Sequence, residues 1–187
     1  MLVNFVVRKV KKMVPEFSLP GSFRFNDVLS QGAGMTLKAV PRTRDDVAFL
    51  QYTGGTTGVS KGATLLNRNV VANMLQVEEW LQPAIDTHVA GEQVNFVCAL
   101  PLYHIFALTV CNMIGTRIGA CNLLIPNPRD IPGFIKELST FRFQVFPCLN
   151  TLFNALASHP DFAKLDFSSL KISLGGGMAT QKAVADK

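Results

Sequence analysis

The most constraining feature of this chain is a glycine-rich run, Tyr52 to Gly62 (YTGGTTGVSKG), that directly follows an apolar stretch. The apolar stretch, Val47 to Tyr52, is β-branched and aromatic enough to form a buried strand. The glycine-rich run should therefore leave the carboxyl end of that strand, where open α/β sheets bind their ligands. Together the two segments predict an α/β fold whose ligand site begins at this loop.

The composition of the loop is typical of phosphate binding. Its glycines permit positive φ and let successive backbone N–H groups turn toward an anion. Its hydroxyl groups can donate to phosphate oxygens or face a hydrated cation, and Lys61 adds a mobile positive charge. The glycines are Gly54, Gly55, Gly58 and Gly62, and the hydroxyl residues are Thr53, Thr56, Thr57 and Ser60.

Two other interpretations of the loop are weaker. The phosphate loop of nucleotide triphosphatases needs Gly immediately before its Lys and Ser or Thr after it, whereas Ser60 precedes Lys61 and Gly62 follows it. A flexible linker would need neither an apolar strand on one side nor a lysine near its end. A phosphate-bearing ligand is therefore the expected one.

At this loop the chain resembles the acyl-adenylate-forming enzymes, and four further segments are similar to bacterial long-chain fatty-acid CoA ligases. The resemblance runs from about Val3 to the last residue, with the segments in the same order. It implies that residues 1–187 are part of the AMP-binding N-terminal domain, incomplete at both ends. The expected fold is a mostly parallel sheet with flanking helices, without the small C-terminal lid domain. The four segments are LPLYHIF (100–106), NPRDIPG (127–133), LNTLFNA (149–155) and LDFSSL (165–170).

The resemblance also implies roles for individual residues. The loop would bind the β- and γ-phosphates of ATP, with Lys61 as the catalytic residue and Thr53 helping to hold Mg²⁺. His104 would line the junction where the acyl chain meets the nucleotide and CoA, although a lone histidine beside an apolar helix is more often structural. The phosphate-binding set is Thr53, Gly54, Gly55, Thr56, Thr57, Gly58 and Lys61.

A second glycine loop follows the last predicted strand. The resemblance assigns Gly175, Gly176, Gly177 and Met178 to the lining of the adenine and the acyl-adenylate. A tight turn from strand to helix explains these glycines equally well. Cys148 stands where close relatives are expected to carry glycine, which puts local packing beside the acyl tunnel in question.

The implied activity is a two-step ligase reaction. ATP activates a long-chain fatty acid to the acyl-adenylate, and coenzyme A then takes the acyl group. The family's later Mg²⁺-binding glutamate, its ribose-binding aspartate and its lid lysine have no counterpart in these 187 residues, so the chain alone is expected to be inactive. The alternatives are a non-catalytic ATP-binding or membrane-docking remnant, and adenylation of an aryl or amino acid.

Composition agrees with an incomplete domain. Hydrophobic residues make up 48% and charged residues 17% of the chain, against a usual charged share of about 25%. The net charge of +5 is scattered outside one cluster, so no nucleic-acid-binding stripe is indicated. The cysteine spacing fits neither zinc nor redox motifs, and no secretory signal is recognisable, which favours a cytoplasmic location.

Residues 2–14 form a basic amphipathic pattern. At 100° per residue, most of the apolar residues share one arc and Arg8, Lys9, Lys11 and Lys12 share the other. Such a helix can lie on the inner face of an anionic membrane, or it can pack its apolar side on its own domain. The second interpretation is favoured because the helix is short and rich in valine.

The rest of the chain alternates strand and helix patterns, which argues for βα units and a parallel sheet. A charge-free stretch, residues 93–116, resembles a membrane span in length, but Pro101 divides it into a buried strand and a buried helix. Strands are predicted over 63–66, 94–100, 121–125, 144–149 and 171–174. Helices are predicted over 25–29, 105–117, 131–141 and 150–158, and one more helix is predicted from an N-cap at Asn67 or Asn69 to about Leu81.

Overall fold

A computed structural model describes residues 2–53, 60–85 and 92–187 of the chain. The chain divides into two compact units, residues 1–41 and 42–187. The strands are β1 Val47–Thr53, β2 Lys61–Leu66, β3 Asn95–Cys98, β4 Cys121–Leu124, β5 Val145–Cys148 and β6 Ile172–Gly175. The α-helices are α1 Leu2–Phe5, α2 Phe25–Gly32, α3 Asn67–Ile85, α4 Ile105–Ala107, α5 Gly115–Arg117, α6 Ile131–Ser139, α7 Asn150–Ala157 and α8 Lys182–Ala185.

The first unit carries the basic N-terminal helix, which is shorter than predicted. A π-helical segment, Val6–Val10, continues α1, and the N–H of Lys11 donates to the carbonyl of Val6 at 2.8 Å. Lys12 then adopts a φ of 48°, so the helix does not reach residue 14. The low helix propensity of valine agrees with the early end, and Pro15 disfavours helical geometry at Val14. The predicted helix near Phe25 is confirmed as α2.

The strand that precedes the glycine-rich loop is present, but the prediction that it is buried is wrong. Strand β1 pairs antiparallel with β2, in a register that runs from Val47 opposite Leu66 to Thr53 opposite Lys61. Within the described residues these two strands form a sheet of their own. Leu50 is 61% exposed because no layer of the described residues covers that face of the pair.

The second sheet confirms the predicted parallel arrangement. Its four strands lie in the order β4-β3-β5-β6, and every neighbouring pair is parallel. Segments α4 and α5 are joined by a π-helical segment, Leu108–Ile114, into one continuous helix that connects β3 to β4 and is called here the 105–117 helix. The helix α6 then connects β4 to β5, and α7 lies between β5 and β6.

Both faces of the parallel sheet are covered, as expected for parallel strands. Successive side chains of a strand point to opposite faces. Val97 and Phe146 therefore belong to one apolar cluster, while their neighbours Phe96 and Val145 belong to another. The second cluster also contains Leu81 of α3, which packs that helix onto the sheet.

The helix α6 begins as predicted. The carboxylate of Asp130 accepts a hydrogen bond from the N–H of Gly133 at 3.1 Å, and Pro132 occupies the first turn. A proline is tolerated there because its missing N–H has no partner within the helix. Among the described residues, no helix has the length and apolarity to cross a bilayer.

We expect the substitution Phe146→Ala to lower the free energy of unfolding by about 3–5 kcal/mol. Phe146 is fully buried and its ring lies edge-on to three others, those of Phe134 at 6.0 Å, Phe143 at 5.7 Å and Phe153 at 5.3 Å between centroids. The measurement is urea unfolding followed by circular dichroism. Leu124→Ala, at an exposed position of the same sheet, is the control, and equal losses for the two variants would contradict this account of the core.

Candidate functional site

The parallel sheet has a topological switch point between its two central strands. From β3 the chain proceeds to β4 on one side of the sheet, and from β5 it proceeds to β6 on the other. Ligands of open α/β sheets bind outside the carboxyl ends of the strands at such a point. The segments that leave these ends are residues 99–104 after β3, 149 after β5 and 176–181 after β6.

The segment after β3 contains His104, which begins the 105–117 helix. Its Nδ1 accepts a hydrogen bond from the N–H of Phe106 at 3.2 Å, so the imidazole acts as an N-cap. The side chain is exposed, at the edge where the sequence placed a site-lining histidine. The capping contact gives His104 a structural role, and its role in lining a ligand site stays a prediction.

A hydrogen bond connects the β1–β2 sheet to the segment of residues 99–104 after β3. The amide Nε2 of Gln51 in β1 donates to the carbonyl of Tyr103 at 3.3 Å. The carboxyl end of β1, from which the glycine-rich loop departs, is therefore held near the segment that carries His104. Two elements that the sequence assigned to one site, 52 residues apart in sequence, lie on the same side of the molecule.

The ends of the glycine-rich loop face each other across the β1–β2 pair. Thr53 closes β1 and lies opposite Lys61, the first residue of β2. Lys61 is exposed. A Cβ atom on Gly62 would lie 3.1 Å from the ring of Tyr52, so this glycine makes room for the facing aromatic ring. The remaining predicted phosphate ligands, Gly54, Gly55, Thr56, Thr57 and Gly58, lie outside the described residues.

The second glycine loop is packed tightly against the rest of the chain. A Cβ atom on Gly176 would lie 2.6 Å from the ring of Phe106, and one on Gly177 would lie 2.9 Å from Leu149. Gly177 also has a φ of 74°, which favours glycine. The N–H of Gly176 donates to the carbonyl of Cys148 at 3.2 Å. Packing within the chain therefore accounts for Gly176 and Gly177, and the adenine-lining role of this loop stays a prediction.

An apolar groove of about 420 Å³ lies between α3 and the 105–117 helix and reaches Gly175. This groove was not predicted from the sequence. The available signal was the spacing of Asn73, Val77 and Trp80, four and three residues apart, which puts all three on one side of a helix. Its apolar walls are formed by Val77, Trp80, Ile105, Phe106, Val110 and Leu174.

The cysteines near the site behave as core residues. The thiol of Cys98 donates to the carbonyl of Leu100 at 3.8 Å. The neighbouring thiol of Cys111 lowers the pKa of Cys98, whereas interaction with Cys98 and burial raise the pKa of Cys111. Burial raises the pKa of Cys148 to about 12. Cys148 is fully enclosed in the cluster around Phe146, so a thiol is accommodated at this position. No group of three or more His, Cys, Asp or Glu side chains among the described residues is placed to hold a metal ion.

The parallel sheet with its switch point and the glycine-rich run after β1 agree with the AMP-binding domain of adenylate-forming enzymes. Residues 7–187 match the family of AMP-binding enzymes, and the chain belongs to that family. It is 50% identical over 186 residues to the long-chain-fatty-acid–CoA ligase of Escherichia coli O157:H7 and 48% identical to that of Haemophilus influenzae. Both alignments cover 100% of this chain but only 32% and 33% of the relatives, so the chain spans about a third of their length.

Solved structures show the same fold. The fatty acyl-adenylate ligase from L. pneumophila, crystallised with acyl adenylate and pyrophosphate, superposes with a TM-score of 0.68 at 20% sequence identity. The superposition covers 95% of this chain and 31% of that one. The parallel sheet with flanking helices is therefore the fold of this enzyme class, as the sequence predicted.

We expect the substitution Gly176→Ala to destabilise the chain by about 1–3 kcal/mol, since the added methyl group overlaps the ring of Phe106. Truncating the ring in the double variant with Phe106→Ala should recover part of that loss, with a coupling of about 0.5–3 kcal/mol. Urea unfolding of the four proteins measures both quantities. Gly32→Ala, where a Cβ meets nothing within 4 Å, is the control. Additive losses would show that the two residues do not pack together.

Proposed function

We propose that this chain is the nucleotide-loop portion of a long-chain fatty-acid CoA ligase, which forms an acyl-adenylate and then an acyl-CoA. The observation that carries the proposal is the identity of 48–50% over the whole chain to ligases of that name. The apolar groove that reaches Gly175 at the carboxyl end of β6 supports it, because a fatty acyl chain needs an apolar channel beside the nucleotide.

The chemistry needs ATP because a fatty carboxylate is a poor acyl donor. Its oxygen attacks the α-phosphate of ATP, pyrophosphate leaves, and the acyl group becomes attached to AMP. The thiol of coenzyme A then attacks the acyl carbon and AMP leaves. Negative charge grows on the departing pyrophosphate in the first step, so the protein contributes mainly positioning and electrostatic stabilisation.

In this proposal the glycine-rich loop holds the departing phosphates. The pairing of Thr53 with Lys61 closes the loop at its base and brings the lysine close to the loop's start. Lys61 contributes positive charge, and the loop glycines and threonines contribute N–H and hydroxyl donors. A threonine hydroxyl is a hard oxygen donor that suits Mg²⁺, so Thr53 would help to hold the ion, which would neutralise phosphate charge when bound.

The glycine loop after β6 and His104 complete the proposed site. We assign Gly175, Gly176, Gly177 and Met178 to the adenine side and His104 to the junction between the acyl and CoA ends. Support comes from the contact of Phe106 with Gly176, because Phe106 follows His104 by two residues and also lines the apolar groove. In this proposal the three parts of the site meet near the carboxyl ends of the parallel strands.

The test is Lys61→Ala in the ligase that contains this sequence. We expect ATP-dependent pyrophosphate release with oleate to slow by about 10²–10³-fold, as for loss of one group that stabilises developing charge. Lys136→Ala, an exposed lysine on α6, is the matched control and should leave the rate unchanged. Unchanged release in Lys61→Ala would refute the role of the loop. Faster release with an aryl or amino acid than with oleate would instead favour adenylation of that substrate class.

We further propose that residues 2–14 contact the cytoplasmic face of an anionic membrane while the ligase is otherwise cytoplasmic. Large apolar side chains of this segment are exposed, among them Val3, Phe5, Val10 and Met13. The four basic residues between and beside them are exposed as well. Exposed apolar and basic groups on one short segment are the combination that binds an anionic lipid surface.

Vesicle sedimentation tests this membrane contact. Each basic residue near an anionic surface contributes about 1 kcal/mol, so Lys11→Gln with Lys12→Gln should weaken binding to phosphatidylserine vesicles by about 30-fold. Lys136→Gln with Lys171→Gln removes the same charge elsewhere in the chain and should have little effect. Equal weakening by the two pairs, or equal binding to neutral vesicles, would contradict a specific role of residues 2–14.

A further inference from the structure

The apolar groove between α3 and the 105–117 helix has a fixed floor. Thr109 and Val110 are buried, with exposed fractions of 8% and 6%. Phe106 lies against Gly176, where not even a methyl group fits between the ring and the backbone. These side chains have little room to rearrange, because a closely packed interior resists changes of even one methylene group.

The outer wall of the groove is different, because it contains Trp80. This residue lines the groove and yet is 69% exposed, so its indole lies at the mouth and not on the floor. Two amide residues on the same side of α3, Asn73 and Gln76, line the groove as well, whereas Val77 and Trp80 are its apolar residues from that helix. An extended apolar ligand would therefore gain most of its contact with α3 from Val77 and Trp80.

An exposed tryptophan at the mouth of an apolar groove has two physical consequences. The indole carries a large apolar surface that a ligand can cover, which favours binding. The same bulk narrows the entrance, and one methyl group too many at such a point costs about 10- to 200-fold in rate. Because Thr109 and Val110 on the floor are buried while Trp80 is exposed at the mouth, an entering acyl chain meets the indole of Trp80 before it meets the floor.

We propose that Trp80 is a specificity-determining residue: its indole covers the acyl chain in the groove and limits the bulk of the chains that enter. This inference rests on the proposed function, since it treats the groove as the acyl site. It assigns a role in the proposed site to a residue of α3, a helix that lies outside the five segments on which the resemblance to the fatty-acid ligases was based.

The position of Trp80 makes the binding step directly measurable. It is the sole tryptophan of the 187-residue sequence, so the intrinsic indole fluorescence of this chain comes from the groove. A stearate chain carrying bromine at carbons 9 and 10 quenches an indole that it touches, whereas stearate itself lacks the quenching atoms. We expect saturable quenching by the brominated acid, without ATP, and little quenching by bromopropionate, which has no long chain.

A charge in the groove should abolish this quenching. Ile105→Glu places a carboxylate in the apolar wall at a partly exposed position, where an acidic residue also suits the first turn of a helix. Leu124→Glu introduces the same charge on β4, outside the groove, and should leave the quenching intact. Quenching that persists in Ile105→Glu, or fails equally in both variants, would overturn the placement of the chain in this groove.

Specificity is then measured in the ligase that contains this sequence. We expect Trp80→Ala to raise the ratio of kcat/KM for a methyl-branched 16-carbon acid over palmitate by about tenfold, with Trp80→Phe between the two. An unchanged ratio in active enzyme would overturn the role of Trp80 and leave the proposed function standing. Saturable quenching without pyrophosphate release from any fatty acid would support the groove as a fatty-chain site and overturn the proposed function.

Discussion

The pairing of β3 with β5 is the interaction on which the rest of the structure depends. The two strands are far apart in sequence, and a pair of polar residues holds them together where they begin. The N–H of Asn95 donates to the side-chain oxygen of the buried Gln144 at 2.8 Å, and the N–H of Gln144 donates to the carbonyl of Asn95 at 2.9 Å. Because buried polar groups are costly when unpaired, this exchange favours one register over its neighbours.

From this pairing follows the position of the site. With β3 and β5 in the centre, the chain must leave toward opposite edges, and the crevice between them opens at their carboxyl ends. The segment after β3 begins the 105–117 helix through the His104 cap, and Phe106 is thereby directed against the glycine loop that follows β6. The apolar groove borders this junction. The proposed acyl and nucleotide regions therefore meet at the switch point between β3 and β5.

Local sequence signals accounted well for elements whose stabilising groups are near in the chain. Asp130 and Pro132 specify the start of α6 through contacts within three residues, and α6 begins where they indicate. The alternation of apolar runs identified the parallel strands, since strands covered on both faces are apolar throughout. The prediction was wrong for the N-terminal helix. The amphipathic pattern extends to residue 14, but the helix ends at Val10 and Lys12 adopts a positive φ.

The amino-acid sequence by itself determined the family and the parallel sheet, and it predicts the phosphate loop, because each of these depends on residues adjacent in the chain. Tertiary structure decided the rest. The exposure of Leu50 in β1 depends on which layers are present to cover it. The tight fit of Gly176 against Phe106 and the place of Trp80 at the mouth of the groove join segments 70 and 25 or more residues apart. No local pattern encodes such contacts, since they arise only when the sheet brings its strand ends together.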